Sequence, residues 1–390
     1  MSESNLFKPF KLGDVTINHR IVHLPTTRNR ATDDHVPTDL MKKYYTDRAK
    51  SGGLLITEAT MISLNQGIYP NVPGIWNKTQ SKAWKEITNS VHSVGGKIAI
   101  QLWALGRVGK PQLLKTHGLP LTGVSPIYES NESEKDANEA GNRIQELTQD
   151  QIKDIIHVQF ANAAKLSDEA GFDFIELHGA MGYLIEQFIH PGTNKRTDKY
   201  GGNIENRSRF LFEIVDHLST VVNPSKLAIR LSPYNQFQLP YVNPNAEEDY
   251  TYILKGLQKR AEEGKGLAYI DIVDERHNPD GSTRLENIDF VRKTWKGVLL
   301  QGGSYTYDKI NNWKSIKNVV DKDDKTLIGF GRYFIANPDL PEKIKNGHPL
   351  THYDRSTFYS PFNFGYNTYP LHGEELVVDP EEKLLGKALA

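Results

Sequence analysis

Three places in the sequence combine residue types that do chemistry. IELHGAMGYLIEQFIHP (175–191) begins like a buried strand and turns polar, offering His178 and Tyr183 within a few residues, with Met181 between them. LQGGSY and GFGRYF set Gly303, Ser304, Gly331 and Arg332 directly after apolar runs. Glycine lets backbone N–H groups approach and turn toward phosphate oxygens, and an arginine adds a charge-assisted fork. Either loop alone also reads as a plain turn, but the pair, one carrying arginine, points to a phosphate. Arg230, inside LAIRLS, is a guanidinium in an apolar strand and needs an acceptor or anionic partner. That partner is either an internal acid, with Asp274 the candidate, or a bound electron-rich ligand. Gln101, inside IAIQLW, reads singly as a satisfied core amide.

These residues need elements to aim them. Short Ile/Val/Leu-rich runs at 20–25, 53–59, 96–103, 172–177, 226–232, 267–273, 297–303 and 326–331 read as strands. Helical patterns near 38–50, 80–94, 148–170, 205–221, 246–264, 287–295, 306–320 and 338–347 separate or follow them. Near-continuous apolar strands alternating with helices predict a parallel sheet, and eight such units a (β/α)₈ TIM barrel of α/β class. An open doubly wound sheet is the alternative. In a barrel, chemistry gathers at the C-terminal strand ends. The strand ends here supply Pro25, Thr26, Thr27, Glu58, Ala59, Gln101, Trp103, His178, Arg230, Asp274 and the two glycine loops. A histidine follows an apolar strand because it would face that shared mouth. FKPFKLGDVTINHR suits a β-hairpin capping one barrel end. Residues 106–147 form an insertion after the third strand, and ESNESEKDANEAGNR within it is polar enough for a flexible excursion. The chain, 1–390, is expected to be one barrel domain with that insertion as a loop subdomain.

Composition narrows the field further. The 47 Lys and Arg against 48 Asp and Glu leave a net charge of -1, so no global field favours nucleic acid or an anionic membrane. With no cysteine, disulfides, thiolate catalysis and Cys-ligated metal are excluded. The 13 histidines form no HxH or HExxH, and no P-loop lysine motif is present, so no metal is expected. The N-terminus lacks a secretory apolar core, and no run approaches the roughly 18 apolar residues that span a bilayer. A cytoplasmic protein is the expectation.

HPGTNKRTDKYGGNIENRSRF (190–210), together with IELHGAMGYLIEQF, LPTTRNRA, GLLITEATMIS, AIQLWALG, LAIRLSPY and LIGFGRYFIANPDL, resembles the Old Yellow Enzyme family. The similarity runs in order from about residue 5 to about 370. The resemblance implies a TIM-barrel ene-reductase holding FMN tightly but non-covalently, with NADPH or NADH as reductant and an α,β-unsaturated carbonyl compound as substrate, acting as a monomer or homodimer. It places Thr27 at the flavin O4 edge, with Pro25, Thr26 and the Ala59 backbone lining the same ring. Gln101 would bond the pyrimidine edge, Arg230 would stand beside N1 and O2, and Gly303, Ser304, Gly331 and Arg332 would take the phosphate. It makes Tyr183 the proton donor and His178 the donor to the substrate carbonyl. Trp103, Tyr69 and Tyr366 would border the substrate.

One residue departs from the pattern. The family usually carries His-x-x-Asn or His-x-x-His, and this chain has Met181 at the last position. A thioether is a weak acceptor and no donor, so half of the side-chain donors to the substrate oxygen are missing. Met181 reshapes the pocket for another substrate, or Tyr69 or Tyr366 supplies the donor, or the protein mainly binds ligands. The rival activities are therefore a slow flavin-bearing binding protein and a flavin-dependent double-bond isomerase.

Overall fold

The structure, a computed structural model, describes residues 3–274, 287–303, 305, 313–376, 379 and 382–390. Eight parallel strands close into a barrel. They are β1 (Ile21–His23), β2 (Leu54–Met61), β3 (Lys97–Trp103), β4 (Phe174–Gly179), β5 (Leu227–Leu231), β6 (Tyr269–Val273), β7 (Leu299–Gly302) and β8 (Thr326–Phe330). Each falls within a residue or two of its sequence-predicted run, and closure rules out the open doubly wound alternative. The strands are buried almost throughout, because side chains on one face fill the barrel and those on the other meet the helices. Between Ile56 and Ala59 the β2–β3 register shifts, a bulge that re-aims β2 as it reaches the mouth.

The N-terminal hairpin, Phe10–Leu12 with Val15–Ile17, turns at Gly13 with a φ of 53°, which suits glycine. Its Leu12 and Ile17 pack with Val22, Leu54, Phe174 and Leu300, residues at or near the starts of barrel strands. The hairpin therefore plugs the N-terminal end and leaves the other end for chemistry.

The insertion corrects the sequence reading. ESNESEKDANEAGNR is not a flexible excursion: Asn131–Ala140 is a helix opened by a reciprocal Ser130–Ser133 capping box and closed by Gly141 in the left-handed conformation. Its polar residues face solvent while Ala137 joins Ile68, Leu114, Leu121 and Ile144 in a small core. Thr122–Gly123 pairs with Gln145–Glu146 beside it.

Candidate functional site

Five polar side chains from four consecutive strands enter the barrel at neighbouring levels. The registers bring Gln101 on β3 beside Glu176 on β4, and Arg230 on β5 between His178 on β4 and Asp271 on β6. Gln101 Nε2 donates to Glu176 Oε1 at 2.7 Å, leaving Gln101 Oε1 buried with no partner among the described residues. Gln101 is thus half satisfied, unlike a purely structural amide. Arg230 Nε lies 3.4 Å from Asp271 Oδ2, so its internal acid is Asp271 and not Asp274. The correction follows from strand register: Asp271 stands directly opposite Arg230, whereas Asp274 lies beyond the strand with its N–H bonded to Gly302 O. At 3.4 Å the contact is loose, and Arg230 keeps donor capacity toward the mouth, where its side chain is 13% exposed.

Above this layer sits an aromatic group. The Tyr183 ring meets His178 edge-on at 4.8 Å and Trp103 at 5.0 Å, and Tyr69 tilts against Trp103 at 6.0 Å. His178 Nδ1 is buried without a partner among the described residues. Burial, then the Arg230 charge, holds the imidazole well below its usual pKa, so it is a neutral ring with one N–H to donate. Burial pushes the Tyr183 phenol up to about 12, so it keeps its proton throughout the neutral range. Ala59 is buried beside Trp103. Pro25, Thr26 and Thr27 line the exit of β1, partly exposed.

The turn carrying these residues is firmly held. Glu186, fully buried, accepts from Gly182 N–H at 2.5 Å, Ser232 Oγ at 2.7 Å, Tyr250 Oη at 2.9 Å and Asn235 Nδ2 at 3.1 Å. Met181 N–H donates to Ser232 Oγ and Met181 O accepts from Gln238 Nε2, both at 2.9 Å. The Met181 φ is 59°, a left-handed conformation that favours Gly, Asn or Asp. The HPGTNKRTDKYGGNIENR motif is the brace behind the turn. Arg196 bonds Val124 O and Leu147 O of the insertion, and Arg207 forks onto Asp249 at 2.9 and 3.0 Å.

The glycine loops separate by cause. A Cβ at Gly302 or Gly329 would strike Leu24, so those glycines are demanded by packing. A Cβ at Gly331 would meet only Thr26 Cγ2 at 3.6 Å, so the chain itself does not require glycine there. Gly303 has a φ of 145°, open only to glycine, and Arg332 is exposed. Ser304 lies outside the described residues. The seat thus has orphaned polar atoms at Gln101 and His178, spare arginine donors, and a glycine with room for a ligand. A flat, electron-rich ring with a phosphate tail fits that set.

Tyr366 does not join the group. It is fully buried, stacked on Tyr44 at 4.3 Å, with the Arg28 and Arg30 guanidinium groups 5.1 and 4.7 Å from its ring centre. The cause is a clamp: Arg28 bonds Phe358 O and Gly365 O, and Arg30 bonds Phe362 O and Thr357 O, turning Tyr366 inward. The same clamp presents Tyr359, 60% exposed, close enough to Tyr69 and Tyr183 to raise both phenol pKa values. Sequence reasoning also missed Glu176, Asp271 and Glu186. An acid inside FIELH or YIDIV carries the same signal that singled out Arg230.

Comparison with known proteins bears on this set. Residues 5–351 match the model of the NADH:flavin oxidoreductase / NADH oxidase family. A probable NADPH dehydrogenase of Candida albicans is 45% identical, over 100% of this chain and 95% of its own length. Enoate reductase 1 of Kluyveromyces lactis is 38% identical over 96% of each. The crystal structure of Old Yellow Enzyme from Pichia sp. AKU4542 superposes with a TM-score of 0.93, at 45% identity and full coverage of both chains.

Proposed function

Because the chain belongs to the Old Yellow Enzyme family of FMN-dependent NAD(P)H ene-reductases, we propose that the polar seat on β3–β5 and the aromatic cluster above it reduce the C=C bond of α,β-unsaturated carbonyl compounds. FMN held there would supply the hydride for the β-carbon, with NADPH or NADH as its reductant. Gln101, Arg230, Thr27, Pro25, Thr26 and Ala59 would hold its ring. Gly303, Ser304, Gly331 and Arg332 would hold its phosphate.

The rest is done by protein side chains. His178, neutral and with an unused ring nitrogen, donates to the carbonyl oxygen and stabilises the charge that develops there. Tyr183, protonated throughout the neutral range, gives its proton to the α-carbon. Trp103 and Tyr69 flank the substrate, and Met181 shapes its oxygen end. The observation that carries this reading is the contact of His178 and Tyr183 at 4.8 Å, one a neutral donor and the other a protonated acid.

The test separates the two half-reactions. In Tyr183→Phe, reduction of the bound flavin by NADPH should proceed at the wild-type rate, while its reoxidation by cyclohexenone slows by about 10²–10⁴-fold. Equal slowing of both halves, or of neither, counts against Tyr183 as donor. Product analysis without oxygen should give the saturated ketone; a shifted double bond with no net reduction would identify an isomerase instead.

A further inference from the structure

Two fully buried acids, Glu176 on β4 and Asp271 on β6, lie just beneath the seat and have no part in the reaction above. Arg230 stands on the strand between them, 3.4 Å from Asp271. Glu176 is bonded to Gln101, and the phenol of Tyr269 lies beside it. The groups facing the two acids are therefore Gln101 from β3, His178 from β4, Arg230 from β5 and Tyr269 from β6. Only Arg230 is a cation, since burial keeps His178 neutral.

One guanidinium in a dry interior compensates one carboxylate and not two. Burial raises both carboxyl pKa values. Glu176 is raised further by Asp271; Arg230 pulls both acids back toward ionisation, and Gln101 and Tyr269 do the same for Glu176. Of the two acids, Asp271 is the one in ion-pair contact with Arg230, so Asp271 carries the charge and Glu176 keeps the proton. Neither Asp271 oxygen has a hydrogen-bond donor among the described residues, so nothing except the loose Arg230 contact holds it ionised. Negative charge arriving on the other side of Arg230 competes for that single cation.

We propose that Asp271 is a charge regulator of the flavin seat: it offsets Arg230 while the cofactor is oxidised and takes up a solvent proton when the cofactor gains negative charge. The inference rests on the reading that Gln101 and Arg230 hold the pyrimidine edge of FMN. Hydride from NADPH carries two electrons and a proton to FMN, and the oxidised nicotinamide departs. Separately, an O–H bond forms on Asp271 from a water-borne proton, which is released again on reoxidation. Asp271 therefore makes the cofactor harder to reduce than Arg230 alone would, and makes its potential depend more steeply on pH.

The test uses the FMN-loaded full chain. Reduced-minus-oxidised infrared difference spectra of the wild type should gain a protonated-carboxyl C=O band and lose a carboxylate band. Asp271→Asn should abolish both changes, raise the midpoint potential and flatten its pH dependence. Glu176→Gln, which mimics the neutral acid, should keep the band and a near-wild-type potential. A wild type that gains no carboxyl band on reduction overturns the proposal, and this needs no variant to fold. An Asp271→Asn protein that binds FMN stoichiometrically at unchanged potential also overturns it. A chain that takes up no FMN removes the functional reading as well, so the two failures are told apart by flavin content alone.

Discussion

At the scale of single residues, Met181 is the position where backbone and side-chain chemistry are most at odds with the proposed reaction. Two costs meet there. The φ of 59° is uncommon for a side chain without a polar tip, and the thioether gives the substrate oxygen no donor. Hydrogen bonds to Ser232 and from Gln238 fix the backbone on both sides, so a substitution changes the side chain without freeing the turn. Met181→Asn should therefore raise turnover of simple enones such as cyclohexenone. The gain should be about tenfold, short of the roughly 10²–10³ that an ideally placed oxyanion donor contributes. It should also raise stability by about 0.5 kcal/mol through relief of the left-handed conformation. Steady-state kinetics and thermal denaturation read the two effects separately. Unchanged turnover with raised stability would show that the missing donor does not limit the reaction. Tyr359, not Tyr366, is the aromatic residue at the rim to vary next, because only it reaches Tyr69 and Tyr183.

At the scale of elements, the strands were legible in the sequence because a parallel barrel leaves a strong trace, a short Ile/Val/Leu run that stops at a polar residue. Gln101, His178 and Arg230 were legible for the same reason, as polar groups where the pattern demands apolar ones. Two things were not. The Asn131–Ala140 helix hides because only Ala137 and Ala140 face inward, and alanine leaves little apolar periodicity. Tyr366 misled because its orientation depends on carbonyl bonds from Arg28 and Arg30, more than three hundred positions earlier in the chain. The brace behind the His178–Tyr183 turn is likewise a matter of long-range pairing. Arg207 is buried and meets Asp249 in a forked bond while also donating to Gly202 O and Ile189 O. Arg207→Ala leaves a buried carboxylate with Asn243 as its remaining donor, and should cost about 3–5 kcal/mol in chemical denaturation. A loss below about 1 kcal/mol would show that the turn is held without it.

At the scale of the whole molecule, the buried ionisable groups fall into two sets whose pH effects oppose each other. Glu58 and Glu186 are pushed from 4.5 to about 7 by burial, and Glu176 is raised as well. Their folded forms hold protons more tightly than the unfolded chain does. The stability they add is fully present below pH 4.5 and is lost as pH rises through about 7. Burial lowers His19 and His190 from 6.5 to about 4, and His23 to about 3. Their stability is fully present above pH 6.5 and is lost as pH falls through those values. Between 4.5 and 6.5 the two slopes offset each other, and above 6.5 only the carboxyl slope remains. The thermal midpoint of the FMN-loaded protein should therefore stay nearly level from pH 4.5 to 6.5 and decline from 6.5 through about 7. The double variant Glu58→Gln, Glu186→Gln, which cannot ionise at either position, should weaken the decline above 6.5 and expose the histidine slope, so that its midpoint rises from pH 4.5 to 6.5. A wild-type midpoint that does not fall between pH 6.5 and 7 would mean that these carboxyls are already ionised in the folded barrel, the donors Arg28, Ser232 and Tyr250 having outweighed burial.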